Sequence, residues 1–113
     1  MKWWDKKVVS LLNEILPTYS ELTEEPVDIP CITYRKSSNR VVAEGDHIRY
    51  SLPIYQIRLY VKDLDDADYY LTAIDEKLYE NRIFRESFSE MIINNIHQYI
   101  MSYSVSTVER INE

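Results

Sequence analysis

Four aspartates, Asp63, Asp65, Asp66 and Asp68, form a dense cluster of potential metal-ligating side chains. Closely spaced carboxylates of this kind begin the calcium-binding loop of an EF-hand, which also needs a glycine at position six and a bidentate glutamate at position twelve. Counted from Asp63, these positions hold Asp68 and Ile74, so the calcium pattern fails. We interpret the cluster as the N-terminal cap and first turn of a helix, where carboxylates stabilise free backbone N–H groups.

Other chemically reactive residues also lack the partners that catalysis or metal binding requires. His47 and His97 have no second ligand at zinc spacing, and Cys31 belongs to no paired-cysteine motif. The single glycine, Gly45, excludes a P-loop and a G-x-G-x-x-G nucleotide site, because both need several glycines. No nucleophile elbow of a serine hydrolase is present. We therefore expect no metal and no cofactor, and a protein that is not an enzyme.

Composition indicates one globular domain spanning residues 1–113, with 45% hydrophobic and 28% charged residues. The net charge of −6 argues against a basic nucleic-acid-binding surface. One cysteine, no secretory signal pattern and no apolar run of about 18 residues predict a cytoplasmic protein. The ten tyrosines are compatible with two explanations, since tyrosine suits half-wet interfaces and also has high strand propensity.

The stretch from residue 50 to residue 78 organises the predicted fold. It begins as a strand whose core face is predicted, by alternation, to comprise Tyr55, Ile57, Leu59 and Val61. Pro53 predicts an edge, a bulge or a kink near the start of this strand. An amphipathic helix follows the acidic cluster, with Asn81 as a candidate left-handed cap. The apolar helical positions are Ala67, Tyr70, Leu71, Ile74 and Leu78.

The N-terminal half contains a helix, a connector and two short strands by the same criteria. The helix covers residues 3–16 and ends before Pro17, and Trp3 either contacts a neighbouring protein or folds over its own domain. Residues 18–30 are predicted to form an irregular acidic connector. A strand at residues 31–35 precedes a turn at Ser37-Ser38-Asn39 and a possible second strand at residues 40–44. Gly45-Asp46 predicts another turn, so that residues 36–49 form a projecting hairpin or loop.

The C-terminal part contains two more predicted strands. The first covers residues 82–88, with Ile83, Arg85 and Ser87 on one side and Phe84, Glu86 and Phe88 on the other. Asn94-Asn95 signals a turn, although residues 91–93 could extend the strand. The last strand covers residues 97–107. Its predicted core face comprises His97, Tyr99, Met101, Tyr103 and Val105, and its outward face comprises Gln98, Ile100, Ser102, Ser104 and Ser106.

The predicted fold class is α+β, in the order α-β-β-β-α-β-β. We expect an antiparallel sheet of about four to five strands with two helices packed on one face, since each helix has one apolar stripe to bury.

The strand and turn motifs resemble those of a known family. A strand of the P-x-I-x-Y kind is followed by a strand ending Y-Q-I-x-L-Y and a K-D turn into a helix. The matching residues are Pro30, Ile32, Tyr34, Asn39, Tyr55, Gln56, Ile57, Leu59, Tyr60, Lys62 and Asp63. Over residues 4–107 the sequence resembles the small tail-terminator or tail-completion proteins of long-tailed bacteriophages and prophages.

The resemblance implies a structural role in a virion tail or neck, with assembly in the host cytoplasm. Such proteins form hexameric rings that cap the tail tube, stop its polymerisation and dock to the head-tail connector. Implied partners are other copies of the chain, the tail-tube protein and the connector, while DNA passes through an axial channel without sequence-specific binding. An acidic channel wall would let DNA slide. Candidate interface residues are Trp3, Asn39, Arg40, His47, Arg49, Gln56, Arg58, Tyr60, Ser102 and Ser104.

Two alternatives remain open at the level of sequence. One is a head-completion or adaptor protein of the same virion neck, which binds the connector rather than the tube. The other is a bacterial protein-interaction module unrelated to phage.

Overall fold

The computed structural model describes residues 3–20, 28–44 and 47–105, without the side chains of Trp3, Trp4 and residues 38–44 and 47–52. These residues form two helices and five strands. The helices are α1 (Trp3–Asn13) and α2 (Leu64–Glu80), and the strands are β1 (Thr18–Ser20), β2 (Cys31–Glu44), β3 (His47–Val61), β4 (Ile83–Ile93) and β5 (Ile96–Val105). The α+β class and the order of the elements agree with the prediction, apart from the positions of β1 and β2.

The sheet is mixed rather than purely antiparallel. Its strand order is β1-β2-β3-β5-β4; β1 runs parallel to β2, and the other neighbours are antiparallel. The parallel strand lies in the segment predicted to be an irregular connector. Only three residues pair, Thr18 to Ser20 with Ile32 to Tyr34, so the segment is too short for its alternation to be recognised. The backbone N–H of Ile32 also donates to the Pro17 carbonyl, at 2.9 Å.

The core lies between one face of the sheet and both helices. The predicted core faces of β3 and β5 are confirmed, except that His97 is only half-buried. On the helical side, Val8, Leu11 and Leu12 of α1 and Ala67, Ile74 and Leu78 of α2 belong to the same buried cluster. Because β3 pairs with β2 on one side and β5 on the other, it is the central strand of this core.

Helix α1 ends at Asn13, three residues before the predicted end. Pro17 disfavours helical backbone in the residue before it, so residues 14–16 turn away. Leu16 N–H still reaches the Leu12 carbonyl at 3.1 Å, which buries the Leu16 side chain. The Asn13 side chain then accepts a hydrogen bond from Thr18 N–H at 3.1 Å and connects the helix end to β1.

The N-terminal cap of α2 is confirmed, and its C-terminal cap differs from the prediction. Asp63 is extended and its carboxylate accepts a hydrogen bond from Asp65 N–H at 3.0 Å. Asn81, predicted to be left-handed, has φ −104°, and the positive φ of 61° falls on Arg82 instead. The Asn81 side chain donates to the Lys77 carbonyl at 2.9 Å. This bond holds the Asn81 side chain in place, and the left-handed turn is made by the next residue, Arg82.

Strand β2 is continuous where a turn and a second strand were predicted. The pairing register with β3 shifts between Lys36 and Ser38, so the intervening Ser37 forms a bulge. Its hydroxyl donates to the Ile54 carbonyl at 3.1 Å. The Ser37 side chain does bond to nearby backbone, as was expected of a turn residue. The bond stabilises a bulge and not a turn, because the β2–β3 ladder continues on both sides of Ser37. The predicted turn residues Gly45-Asp46 lie outside the described residues.

A bulge also changes the face assignment in β4. The register with β5 shifts between Arg85 and Ser87, so Glu86 is the extra residue of a bulge in β4. Phe88, predicted on the side opposite Arg85, therefore lies on the same face, and the Arg85 guanidinium carbon is 5.2 Å from the Phe88 ring centre. Beyond the bulge, Met91-Ile92-Ile93 does extend the strand as far as the Asn94-Asn95 turn.

The Asn94-Asn95 turn gives a direct test of the local backbone. Both residues have positive φ, 53° and 65°, which matches a two-residue hairpin loop. Alanine has no side-chain compensation there, so we expect Asn95→Ala to lower the free energy of unfolding by about 1–2 kcal/mol. Asn95→Gly should retain or raise stability. Urea unfolding measures both, and equal loss in the two variants would contradict the assigned backbone conformation.

Candidate protein-interaction surface

Strand β4 is an edge strand with exposed apolar side chains. It pairs with β5 on one side, and no other strand of the described residues lies on its other side. We use the name β4 surface for its five exposed large apolar side chains, which are Phe84, Phe88, Met91, Ile92 and Ile93. Soluble proteins protect long edges, because unpaired N–H and C=O groups accept another strand. An 11-residue edge bearing exposed apolar side chains is therefore a candidate for protein docking.

A groove lies between the C-terminal half of α2 and the start of β4. Its volume is about 490 Å³, and its lining residues are Asp75, Glu76, Tyr79, Glu80, Ile83, Phe84, Arg85 and Tyr103. The rings of Tyr79 and Phe84 meet edge to face, with centres 5.0 Å apart. The lining combines three carboxylates and one guanidinium with two exposed aromatic rings. It continues directly into the β4 surface, since they share Phe84.

A hydrogen-bonded network fixes one wall of the groove. The Tyr103 hydroxyl of β5 donates to Asp75 of α2 at 2.5 Å, and the other carboxylate oxygen of Asp75 lies 3.3 Å from the Arg85 guanidinium of β4. Burial, followed by the hydrogen bond to Asp75, raises the pKa of Tyr103 above its ordinary value of 10. The network joins three elements, so α2 and β4 are held in fixed relative positions beside the groove.

A similar network joins α1 to the neighbouring strands of the sheet, where Tyr55 is the direct cross-strand partner of Tyr103. The Tyr55 hydroxyl of β3 donates to Asp5 at 2.5 Å, and Lys36 of β2 lies 3.1 Å from the same carboxylate. Burial is the main cause that raises the pKa of Tyr55, and the bond to Asp5 contributes next. Tyr55 and Tyr103 therefore have a structural role, since each hydroxyl donates its hydrogen bond to a carboxylate of a helix.

Three of the candidate interface residues come together on the sheet face away from the helices. Gln56 pairs with Ser102 across β3 and β5, and Arg58 is the next residue of β3 on that face. Gln56 accepts a hydrogen bond from Arg35 of β2, and all three side chains are partly exposed. As contacts to a partner they stay a prediction.

Two other candidates on the same face are buried. Tyr60 is almost fully covered and its hydroxyl accepts a hydrogen bond from Arg58 at 3.5 Å. Ser104 is also covered and donates to Glu86 at 2.7 Å. The outward face of β5 was expected to be small and polar. It is partly buried, because Gln98 is covered as well as Ser104. Neither Tyr60 nor Ser104 presents an accessible surface to a partner.

For the remaining candidates the structure describes the backbone but not the side chains. Trp3 is the first residue of α1, Asn39 and Arg40 lie in β2, and His47 and Arg49 lie in β3. Among the described residues, this part of β2 and β3 forms a two-stranded arm, because β5 pairs with β3 from Ile54 onward and β1 pairs with residues 32–34 of β2. This arm agrees with the predicted projecting hairpin. Pro53 lies in the part of β3 that pairs with β2 but not with β5. This position suits proline, because proline has no N–H group to donate to a second strand.

The β4 surface itself was not among the candidate residues. The sequence signal for it is the apolar run Met91-Ile92-Ile93 beside a two-asparagine turn, which is unusual for a solvated hairpin end. The position of β4 at the edge was not predictable from that run, because strand order in the sheet depends on long-range pairing.

No group of three or more histidine, cysteine or acidic side chains that could hold a metal ion occurs among the described residues. Within the same ranges, neither helix combines the length and apolar character that a membrane crossing requires. No protein-family model matches the sequence, and no curated protein matches it either.

Proposed function

We propose that the chain is a structural subunit of a bacteriophage or prophage tail, which forms a ring at the head-proximal end of the tail tube and ends its polymerisation. The observation that carries the proposal is the β4 surface, an open sheet edge with exposed apolar side chains on a domain of 113 residues. A subunit that must stop growth of a polymer needs a surface that binds neighbours strongly. The motifs that resemble tail-terminator proteins supply the specific assignment.

The two-stranded arm of β2 and β3 supports the proposal from a second position in the fold. It extends beyond the five-stranded part of the sheet, and the long axis of the molecule measures 50 Å against 27 and 22 Å for the others. Separate contact surfaces on one small subunit are what a closed heterologous ring requires, since each copy meets its two neighbours through different patches. The proposal assigns no catalytic step and no cofactor to the chain.

Tube growth in the presence of the protein tests this function. Purified tail-tube protein from the same genome is polymerised with and without the chain, and tube length is measured by negative-stain electron microscopy. We expect shorter tubes that end in a ring. A charged variant of the β4 surface, Met91→Lys with Ile92→Lys, provides the matched control and should not shorten tubes. Tubes of unchanged length with the wild-type chain would refute the proposal.

A further inference from the structure

The bulge at Glu86 sorts the side chains of β4 onto two faces. Before the bulge the odd-numbered residues of β4 pair with core-face residues of β5, and after it the even-numbered residues do. The face toward the helices carries Ile83, Arg85, Phe88, Glu90 and Ile92, because these pair with the core-face residues of β5. The opposite face carries Phe84, Ser87, Ser89, Met91 and Ile93.

This order is self-complementary. We propose that two free copies of the chain pair antiparallel through their β4 edges, with Phe88 opposite Phe88 at a twofold axis. Counting outward from that axis, and leaving the bulged Glu86 out of the ladder, gives four further pairs on each side. They are Ser87 with Ser89, Arg85 with Glu90, Phe84 with Met91, and Ile83 with Ile92. Each apolar residue meets an apolar one, and each charge meets its opposite.

Other registers lose this match. A shift by one residue places side chains of different faces opposite each other. A shift by two places Arg85 opposite Phe88 or Ile92. A shift by four places Arg85 opposite Arg85, or Glu90 opposite Glu90, at the axis, and like charges directly opposite are destabilising. The pairing with Phe88 at the axis is therefore favoured over its neighbours by both charge and apolar contact.

The groove also fits this pairing. In this register Ile92 of one copy lies opposite Ile83 of the other, and Ile83 lines the groove together with Tyr79 and Phe84. The Ile92 side chain is 60% exposed in the single chain, and Met91 beside it is 42% exposed. A second copy therefore brings the apolar end of its own β4 to the apolar part of the groove, twice in each dimer.

The charged pair can form without breaking existing contacts. Arg85 already lies 3.3 Å from Asp75, and a guanidinium has five N–H donors, so it can also reach a carboxylate of the second copy. Glu90 is the ladder partner of Tyr99 on β5, and its carboxylate has two oxygens, so it can accept a hydrogen bond from the second copy. The inference concerns the free protein and goes beyond the proposed function, since it holds whether or not the chain acts in a virion.

Charge reversal tests the pairing directly. Sedimentation velocity from about 1 to 300 µM should show a monomer–dimer equilibrium for the wild-type chain. Arg85→Glu and Glu90→Arg each place two like-charge pairs in the dimer, so each variant alone should associate at least about tenfold more weakly. Mixed together, they restore two opposite-charge pairs, and a heterodimer of wild-type affinity should form. Circular dichroism verifies that both variants are folded.

Cysteine cross-linking tests the register. Phe88→Cys places two thiols across the twofold axis, where opposed Cα atoms of antiparallel strands are about 4.5–5.5 Å apart, within disulfide range. Met91→Cys places its two thiols roughly 20 Å apart at about 3.3 Å per residue, beyond that range. Cys31, the one native cysteine, is fully buried. Mild oxidation should therefore cross-link Phe88→Cys and leave Met91→Cys and the wild-type chain monomeric on a denaturing gel.

Three outcomes would overturn the inference. They are a strictly monomeric wild-type chain at about 300 µM, a dimer that both charge reversals leave unchanged, and a dimer in which Met91→Cys cross-links more efficiently than Phe88→Cys. None of them bears on the tube-length assay, so this inference and the proposed function can fail separately.

Discussion

Ile57→Ala is expected to lower the free energy of unfolding by about 2–5 kcal/mol, because the substitution removes three carbons from a fully buried position and leaves a cavity. Ile57 lies in the middle of β3, between Tyr34 of β2 and Met101 of β5. Strands on both sides limit how far the surroundings can collapse into the space, so we expect a value in the upper half of the range. Urea unfolding followed by tryptophan fluorescence measures the loss.

The matched control is Ile92→Ala on the β4 surface. It makes the same chemical change at a side chain that is 60% exposed, so we expect a change within about 0.5 kcal/mol. If the two variants lose equal stability, then either β3 is not the central strand or Ile92 is covered in the free protein. Repeating the measurement at low protein concentration separates these explanations, since a covering second copy dissociates on dilution.

The fold was largely predictable where periodicity is long and regular. The alternation of Tyr55, Ile57, Leu59 and Val61 and the helical spacing up to Leu78 both identified the core correctly, since each pattern repeats over several residues. Prediction failed at single residues that shift the phase. After each of the bulges at Ser37 and Glu86, the side chains of the strand change faces, and the amino-acid composition gives no sign of it. In β1, three paired residues are too few to establish a period.

The candidate surface was less predictable than the core, for a physical reason. Whether Phe88 is covered depends on which strand lies beside β4, and that is set by pairing between residues far apart in the chain. The sequence identified Gln56 and Arg58 as candidates because polar residues on a strand suggest an open face. Two others, Tyr60 and Ser104, are buried, because a polar tip permits burial once it has a partner such as Arg58 or Glu86.

Alkaline pH is expected to destabilise the protein steeply. The pKa values of Tyr55 and Tyr103 are raised above the ordinary value of 10 by burial and by hydrogen bonds to carboxylates. Above pH 10 the unfolded chain loses both protons while the folded chain keeps them, so stability falls with rising pH. Each tyrosine contributes about 1.36 kcal/mol per pH unit, and together they contribute about 2.7 kcal/mol per unit.

Cys31 adds to this loss at slightly lower pH. Burial, with a smaller effect of Asp28, raises the pKa of its thiol from 9.0 to about 11, so its contribution is lost between these two values. Near pH 8 all three groups are largely protonated in both states, so the expected stability depends little on them. Urea unfolding at half-unit steps from pH 8 to about 11.5 should therefore show a plateau followed by a steep decline.

Phenylalanine variants identify the groups responsible for the decline. Tyr55→Phe with Tyr103→Phe lowers stability at pH 8, since two hydrogen bonds to carboxylates are lost at about 1.5–3 kcal/mol each. Its decline above pH 10 should nevertheless be shallower by about 2.7 kcal/mol per pH unit, because neither position can titrate. Tyr69→Phe, at a side chain 70% exposed, is the control and should keep the wild-type slope. A double variant with the wild-type slope would place the alkaline sensitivity elsewhere and contradict the structural role assigned to these two hydroxyls.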